Sequence, residues 1–267
     1  MISVIIPTCN RTDLLGSCLD LLFAQNPTIL GIYEVIVTDD STDNISQKLI
    51  EECYPSVRWV EGPRRGPAAN RNNGSKIAKG EWLLFLDDDC LPQKGWLTSY
   101  ITAIKSSDKN LVYEGYTTAE RKKERFDEEA PINIDGNKLW SCNFAINKAI
   151  FEQLNGFDET FPFAAMEDVD FHARVSNTTH IVFLPQAFVI HPWRRIVPFK
   201  SFKKHLKSHR FFAKKHGLLN NFNFRLSRIK IFIGGIFLDF KELLGFSFRG
   251  WPIYLEKCML NFCLIFI

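Results

Sequence analysis

Three carboxylates in succession, Asp87-Asp88-Asp89, close an uninterrupted apolar run, Leu83-Leu84-Phe85-Leu86. Acids this close repel one another, and a bound cation is the usual remedy. An all-oxygen donor set favours Mg2+ or Mn2+ over zinc. Taken alone, such a triplet is equally compatible with a solvated acidic turn. It is not alone, because a second apolar run, 34–38, also stops on acids, Asp39 and Asp40.

The elements that must position these groups follow from the apolar pattern. Four large apolar residues in a row read as a strand buried on both faces, as in a parallel sheet. Acids at its carboxyl end stand where open α/β sheets bind ligands. The first ninety residues alternate short apolar runs with helical patterns, the signature of βαβ units. Strands are expected at 3–7, 34–38, 57–61 and 82–86, and helices at 12–25 (capped by Asn10), 43–53 and 68–78. Further strands are expected at 111–116 and 143–146. A short helix capped by Asn147 should precede Gly156, a helix should span 167–175, and an apolar stretch covers 181–190. The polar segment 117–134, with its mixed charge run 120–129, reads as a solvated loop or as a lid over the site.

Charge is distributed unevenly along the 267 residues. Residues 1–170 carry 17 Lys/Arg against 27 Asp/Glu, whereas residues 171–267 carry 16 against 3. An acidic body with a basic tail predicts that the tail meets an anionic surface. From Pro198, Phe199, Phe202, Leu206 and Phe212 recur at near-helical spacing among seven Lys/Arg, the composition of an interfacial membrane helix. No nucleic-acid recognition motif accompanies that charge. The seven cysteines lack metal-like spacing and read as reduced and mostly buried. The amino terminus lacks the features of a signal peptide, and no stretch reaches the about 20 uncharged apolar residues of a membrane span. The expectation is a cytoplasmic protein, peripheral on the cytoplasmic face of a membrane.

Five motifs occur in order: Val4-Ile5-Ile6-Pro7-Thr8-Cys9-Asn10-Arg11, Val37-Thr38-Asp39-Asp40-Ser41, Gly66-x4-Arg71-Asn72-Asn73-Gly74, Phe85-Leu86-Asp87-Asp88-Asp89, and Asn155-Gly156-Phe157-Asp158-Glu159 running on to Glu167-Asp168. Over about residues 1–195 the chain closely resembles the family 2 glycosyltransferases, inverting enzymes of the GT-A fold. The resemblance implies an α/β, Rossmann-like mixed sheet flanked by helices over residues 1–197; the composition of 198–267 adds a basic amphipathic helical extension. The resemblance also implies a nucleotide-diphospho-sugar donor, a UDP-sugar above others, and a glycan acceptor. Thr8, Asn10, Arg11, Asp39, Asp40, Arg71, Asp87 and Asp88 then fall on the nucleotide-sugar side.

By the same resemblance Asp89, with Asp87, holds Mn2+ or Mg2+, and His191 is a third metal ligand. Asp168, paired with Glu167, is the general base; without the match these acids would read as ordinary helix-dipole residues. Asn143, Trp140 and Trp193 fall on the acceptor side, and Arg194 and Arg195 approach the diphosphate. The basic tail then favours a lipid-linked acceptor in surface polysaccharide assembly. Two rivals stand beside this reading: a metal-dependent nucleotidyltransferase, for which the glycine-rich opening is missing, and a catalytically inactive scaffold in a membrane assembly complex.

Overall fold

The computed structural model describes residues 1–25, 33–106 and 111–267. In chain order the elements of the first half are β1 (Ile2–Thr8), α1 (Thr12–Phe23), β2 (Tyr33–Asp39), α2 (Ile45–Cys53), β3 (Val57–Glu61), α3 (Pro67–Ile77), β4 (Trp82–Leu86), β5 (Leu91–Pro92) and α4 (Trp96–Ser106). There follow β6 (Val112–Ala119), β7 (Glu128–Glu129), β8 (Asn143–Asn147), α5 (Lys148–Gln153), α6 (Glu167–Ser176), β9 (Ile181–His191), β10 (Arg194–Arg195), α7 (Phe202–Lys215), α8 (Phe222–Gly245) and α9 (Trp251–Leu264). The strands expected from apolar runs are present, and Asn147 caps α5 by accepting from the Ala149 amide at 3.0 Å. Asn10 does not cap α1. It adopts a left-handed conformation (φ 54°), and Arg11 takes the cap position without a side-chain bond.

The chain packs into two compact units, residues 1–120, 131–159 and 167–192 in the first and 121–130, 160–166 and 193–267 in the second. The first is built on an eight-stranded sheet in the order β3-β2-β1-β4-β8-β6-β9-β5. β3, β2, β1 and β4 run parallel, β8 is antiparallel to both β4 and β6, and β6 and β9 are parallel. The chain therefore leaves β1 toward β2 and β3, then returns to β4 on the other flank of β1. That reversal opens a crevice at the carboxyl end of β1, between β2 and β4, where such sheets bind ligands.

Alternation along the strands divides the core into two faces. Val4, Ile6, Leu84 and Leu86 pack with α1 and α4 residues such as Leu19, Trp96 and Tyr100. Ile5, Leu83 and Phe85 face the other way, into an aromatic cluster with Phe144, Phe151, Phe157 and Phe171. Both sides of β4 are covered, which is why its sequence is apolar without interruption.

Asn143 locks the mixed half of the sheet. Its Oδ1 accepts from Trp96 Nε1 (2.8 Å) and Tyr100 Oη (2.9 Å), and its Nδ2 donates to the carbonyls of Tyr116 and Ala187 (3.0 Å each) and to Thr117 Oγ1 (3.2 Å). The register of β6 against β9 shifts at Gly115/Tyr116, and a Cβ on Gly115 would collide with that carboxamide. Asn143, expected on the acceptor side, is thus buried and fully bonded, a structural group rather than a free polar one.

In the second unit β7 and β10 form a two-stranded antiparallel pair, α7 is a further helix, and α8 and α9 bring Leu243 and Ile253 together with Phe126. The charge run expected to be a solvated loop or a lid is instead partly buried here. Glu128 takes Arg121 at 2.6 Å and two backbone amides, and Arg121 with those amides holds its carboxyl down at about 2. The basic face of α7 is exposed as expected. Three of the seven cysteines are buried, fewer than expected, and all are free. No helix among the described residues is long and apolar enough to cross a membrane.

Replacing Asn143 by Ala removes the partner of the Trp96 indole, the Tyr100 phenol and the Tyr116 and Ala187 carbonyls in the core. We expect a loss of roughly 3 kcal/mol or more in urea unfolding. A change under about 1 kcal/mol would show that the carboxamide does not lock the sheet.

Candidate active site at the carboxyl end of the parallel strands

The ends of β1 and β2 are tied together by a side chain from α3. Asn70 Nδ2 donates to the carbonyls of Thr8 (3.2 Å) and Thr38 (2.9 Å), and its Oδ1 accepts from Thr38 Oγ1 at 2.6 Å. Gly62 permits this approach, since a Cβ there would clash with Asp40 Oδ1, Asn70 Oδ1 (2.6 Å) and the Asp39 carbonyl carbon (2.9 Å). Asp39 is buried, with Oδ1 accepting from the Ser41 amide (2.8 Å) and Oδ2 from Trp59 Nε1 (3.3 Å). Asp40 accepts from the Arg64 amide at 2.8 Å, and burial raises its carboxyl despite that bond.

The acidic triplet turns away from β4 in three directions. Asp87 Oδ1 meets Arg71 Nη2 at 2.6 Å. Asp88 is fully buried under β1, accepting from Thr8 Oγ1 at 2.7 Å and pairing with Arg11 Nη2 at 2.9 Å. Burial raises its carboxyl to about 7 in spite of Arg11 and Thr8. Asp89 takes Arg11 Nη1 at 3.1 Å on one oxygen and faces His191 Nε2 at 3.4 Å on the other. Strand β9 delivers His191 here because its carboxyl end lies beside β5, four residues after the triplet begins.

Arg71 connects the triplet to the first turn of α6. Burial works against its charge, but Asp87, Glu167 and Asp168 around it outweigh that cost and raise its pKa. Burial, with Asp168 adjacent, pushes Glu167 up to about 7. Burial also raises Asp168, although the Val169 amide donates to its Oδ1 at 2.8 Å. Arg71 Nε and Glu167 Oε2 are buried without a hydrogen-bond partner among the described residues. Unspent polar groups inside a cleft are costly unless a ligand uses them.

A cation fits one corner of this cluster. His191 Nδ1 lies 2.7 Å from the Pro192 carbonyl and donates to it, which leaves Nε2 as the ring atom that faces Asp89. Donor atoms of Asp89, Cys90 and His191 lie within 4.8 Å of one another. Burial, with Cys142 beside it, pushes the Cys90 thiol well up, so it stays protonated and the working donors are one carboxylate and one imidazole. That set suits Mn2+ or Mg2+ better than a thiolate metal.

Thr8, Arg11, Asp39, Asp40, Arg71, Asp87, Asp88, Asp89, Glu167, Asp168 and His191 are thus linked in one network or stand at adjacent strand ends. Asn10 is exposed at its rim, its backbone amide donating to Ser41 Oγ at 2.7 Å. Trp140 is half-buried against the core with its indole donating to the Ile132 carbonyl at 3.0 Å. Trp193, Arg194 and Arg195 belong to the second unit, where the Trp193 indole donates to the Arg121 carbonyl at 2.9 Å.

Sequence reasoning passed over Asn70, Trp59 and Gly62, and gave Asn72 no role beyond its place in a motif. Asn72 accepts from the Phe157 amide (2.9 Å) and donates to the Phe157 carbonyl (2.8 Å), docking the Asn155-Gly156-Phe157 turn onto α3. The signal was present: three asparagines in one short helix, where Asn is disfavoured unless its amide has work to do.

Residues 3–169 match the sequence profile described as glycosyl transferase family 2. A poly(ribitol-phosphate) beta-glucosyltransferase of Bacillus spizizenii is 39% identical over 93 residues, 33% of this chain and 14% of that protein. The UDP-Glc:alpha-D-GlcNAc-diphosphoundecaprenol beta-1,3-glucosyltransferase WfgD of Escherichia coli is 23% identical over 198 residues, 73% of this chain and 77% of that one. The crystal structure of S. aureus TarS 1-349 in complex with UDP-GlcNAc aligns with a TM-score of 0.61 at 24% identity, covering 80% of this chain and 65% of that one. The chain spans only 14% to 60% of the length of the Bacillus protein and three other curated relatives it matches. The mixed sheet flanked by helices is the GT-A fold. With more than half of its length matched, this chain belongs to glycosyl transferase family 2.

Proposed function

We propose that the first unit moves one sugar, with inversion, from a nucleotide-diphospho-sugar to a hydroxyl of a glycan acceptor. The observation that carries this reading is the convergence of Asp87–Asp89, Arg71, Glu167–Asp168 and His191 at the crevice between β2 and β4. Asp39 and Asp40, at the end of β2, are the groups for the ribose and base of the donor, with Thr8 and Arg11 beside them. Asp89 and His191 are the residues that would hold a divalent cation, with Asp87 adjacent. That cation, when bound, would neutralise the diphosphate and the charge that grows on it as it departs. Arg71, rigid and buried, orients the same region.

Asp168 is the base. The acceptor hydroxyl attacks the anomeric carbon as the bond from that carbon to the diphosphate oxygen breaks. The hydroxyl proton passes to the Asp168 carboxylate, and the nucleoside diphosphate leaves with the bonding pair. A carboxylate raised by burial is a stronger base than one in water. Glu167, up at about 7, is protonated in roughly half of the molecules at neutrality, which lowers its repulsion of an ionised Asp168. Among the nucleotides, UDP is the leading candidate, as in the donor named for the Escherichia coli relative and the ligand of the Staphylococcus structure.

We infer further that the acceptor is lipid-linked and that α7–α9 rest on the anionic cytoplasmic surface of a membrane. The lysines of α7 are exposed, and Phe222, Phe237 and Leu238 of α8 and Phe266 just past α9 are each about 70% exposed. Exposed aromatics beside lysines are the pattern of interfacial helices, not of nucleic-acid readers.

Asp168→Asn should lower kcat at least about 100-fold while donor KM changes little; an unchanged kcat would remove Asp168 as base. Glu167 makes a separate prediction. Its pKa is about 7 folded against 4.5 ordinarily, so across that window the folded protein binds more protons than the unfolded chain. Stability contributed by this group is complete below about 4.5 and is lost as pH rises through about 7. Urea unfolding against pH should show that decline in the wild type and a shallower one in Glu167→Gln. Identical slopes would mean that the carboxyl is ionised throughout.

A further inference from the structure

The second unit contains a cavity of about 610 Å³ that no step of the proposed reaction uses. Its polar wall is Arg125, Asp127, Arg195 and Arg249; Val197, Phe248, Trp251 and Pro252 are among its apolar walls. Asp127 organises the arginines. Arg125 places Nε 2.8 Å from Asp127 Oδ1 and Nη2 3.1 Å from Oδ2, and Arg195 Nη2 reaches Oδ2 at 3.2 Å. Gly250, at φ +93°, lets the start of α9 close on this aspartate, because a Cβ there would meet the Asp127 amide nitrogen at 2.5 Å.

One carboxylate faces three guanidiniums, so the cavity is net cationic by two charges. Arg195 is 65% exposed and spends one donor on Asp127, and Arg249 pairs with no carboxylate among the described residues. The rim is apolar and open to solvent, with Val197, Phe248 and Trp251 between 50% and 57% exposed. Guanidiniums with donors to spare match phosphate oxygens, and a tryptophan at an apolar rim matches the headgroup level of a bilayer. A soluble anion would use the arginines and leave the rim without a partner.

We propose that this cavity seats the phosphate headgroup of a membrane lipid, with Val197, Phe248 and Trp251 entering the lipid around it. The proposal rests on the peripheral-membrane reading above, and it adds a defined headgroup pocket to the diffuse charge of α7.

The test is co-sedimentation of the full chain with phosphatidylcholine vesicles containing either phosphatidic acid or, at matched charge, phosphatidylserine. The wild type should prefer phosphatidic acid. Arg195→Gln/Arg249→Gln should lose about tenfold or more of that affinity together with the preference. Arg249→Gln alone, at a residue without an ion pair, should lose part of it with an unchanged melting curve. Lys203→Gln/Lys207→Gln on α7 should weaken binding to both vesicle types alike.

Wild-type binding without a headgroup preference, or arginine variants that bind like the wild type, would overturn the pocket while the lysine effect upheld surface attachment. No vesicle binding by any form would overturn both. Inorganic phosphate that occupies the cavity and is lost in the arginine variants, with vesicle binding unaltered, would assign the cavity to a soluble anion and overturn the lipid.

Discussion

Everything at the crevice depends on how a surplus of buried carboxylates is held. Asp87, Asp88, Asp89, Glu167 and Asp168 converge there, and Arg11 and Arg71 are among the groups that meet them. A buried charge without a partner costs several kcal/mol, about as much as a small domain can spare. Arg11 pairs with Asp88 and Asp89, while Arg71, buried, pairs with Asp87 and also feels Glu167 and Asp168. Burial raises two of these carboxyls, Asp88 and Glu167, to about 7. His191 Nε2 faces Asp89 at 3.4 Å, and that is the corner at which we propose that a divalent cation binds.

The scaffold's contribution is to bring chain ends together without spending those charges. Asn70 joins the ends of β1 and β2, Asn72 docks the Phe157 turn, and Asn143 pins the mixed half of the sheet. Each is a neutral amide that can accept and donate in the same pocket. The acids are thereby left for chemistry, while their positions are fixed by groups that do not titrate.

This division also explains what could be read in advance. The apolar run before Asp87 and the acids closing β2 were legible because burial on both faces and strand-end placement are local properties of the chain. The meeting of Asp89 with His191, 102 positions further on, was legible through family resemblance and not through any spacing rule. The roles of Asn72 and Asn143 were not legible, since a carboxamide announces nothing about partners such as Phe157, 85 residues away. The run 120–129 was misjudged for a related reason. Its charges look solvated until Arg195 and Arg121 are seen to neutralise Asp127 and Glu128 within the second unit. Asn10, a good cap by type, is placed in a left-handed turn instead and leaves α1 to start without a side-chain bond.

The most direct measurement is release of nucleoside diphosphate from a panel of UDP-, GDP- and dTDP-sugars with Mn2+, in the wild type and in Asp89→Ala. The account predicts that one nucleotide is released in the wild type, and that both a chelator and the substitution abolish release. Failure of every donor to bind or turn over, with and without Mn2+, would contradict it.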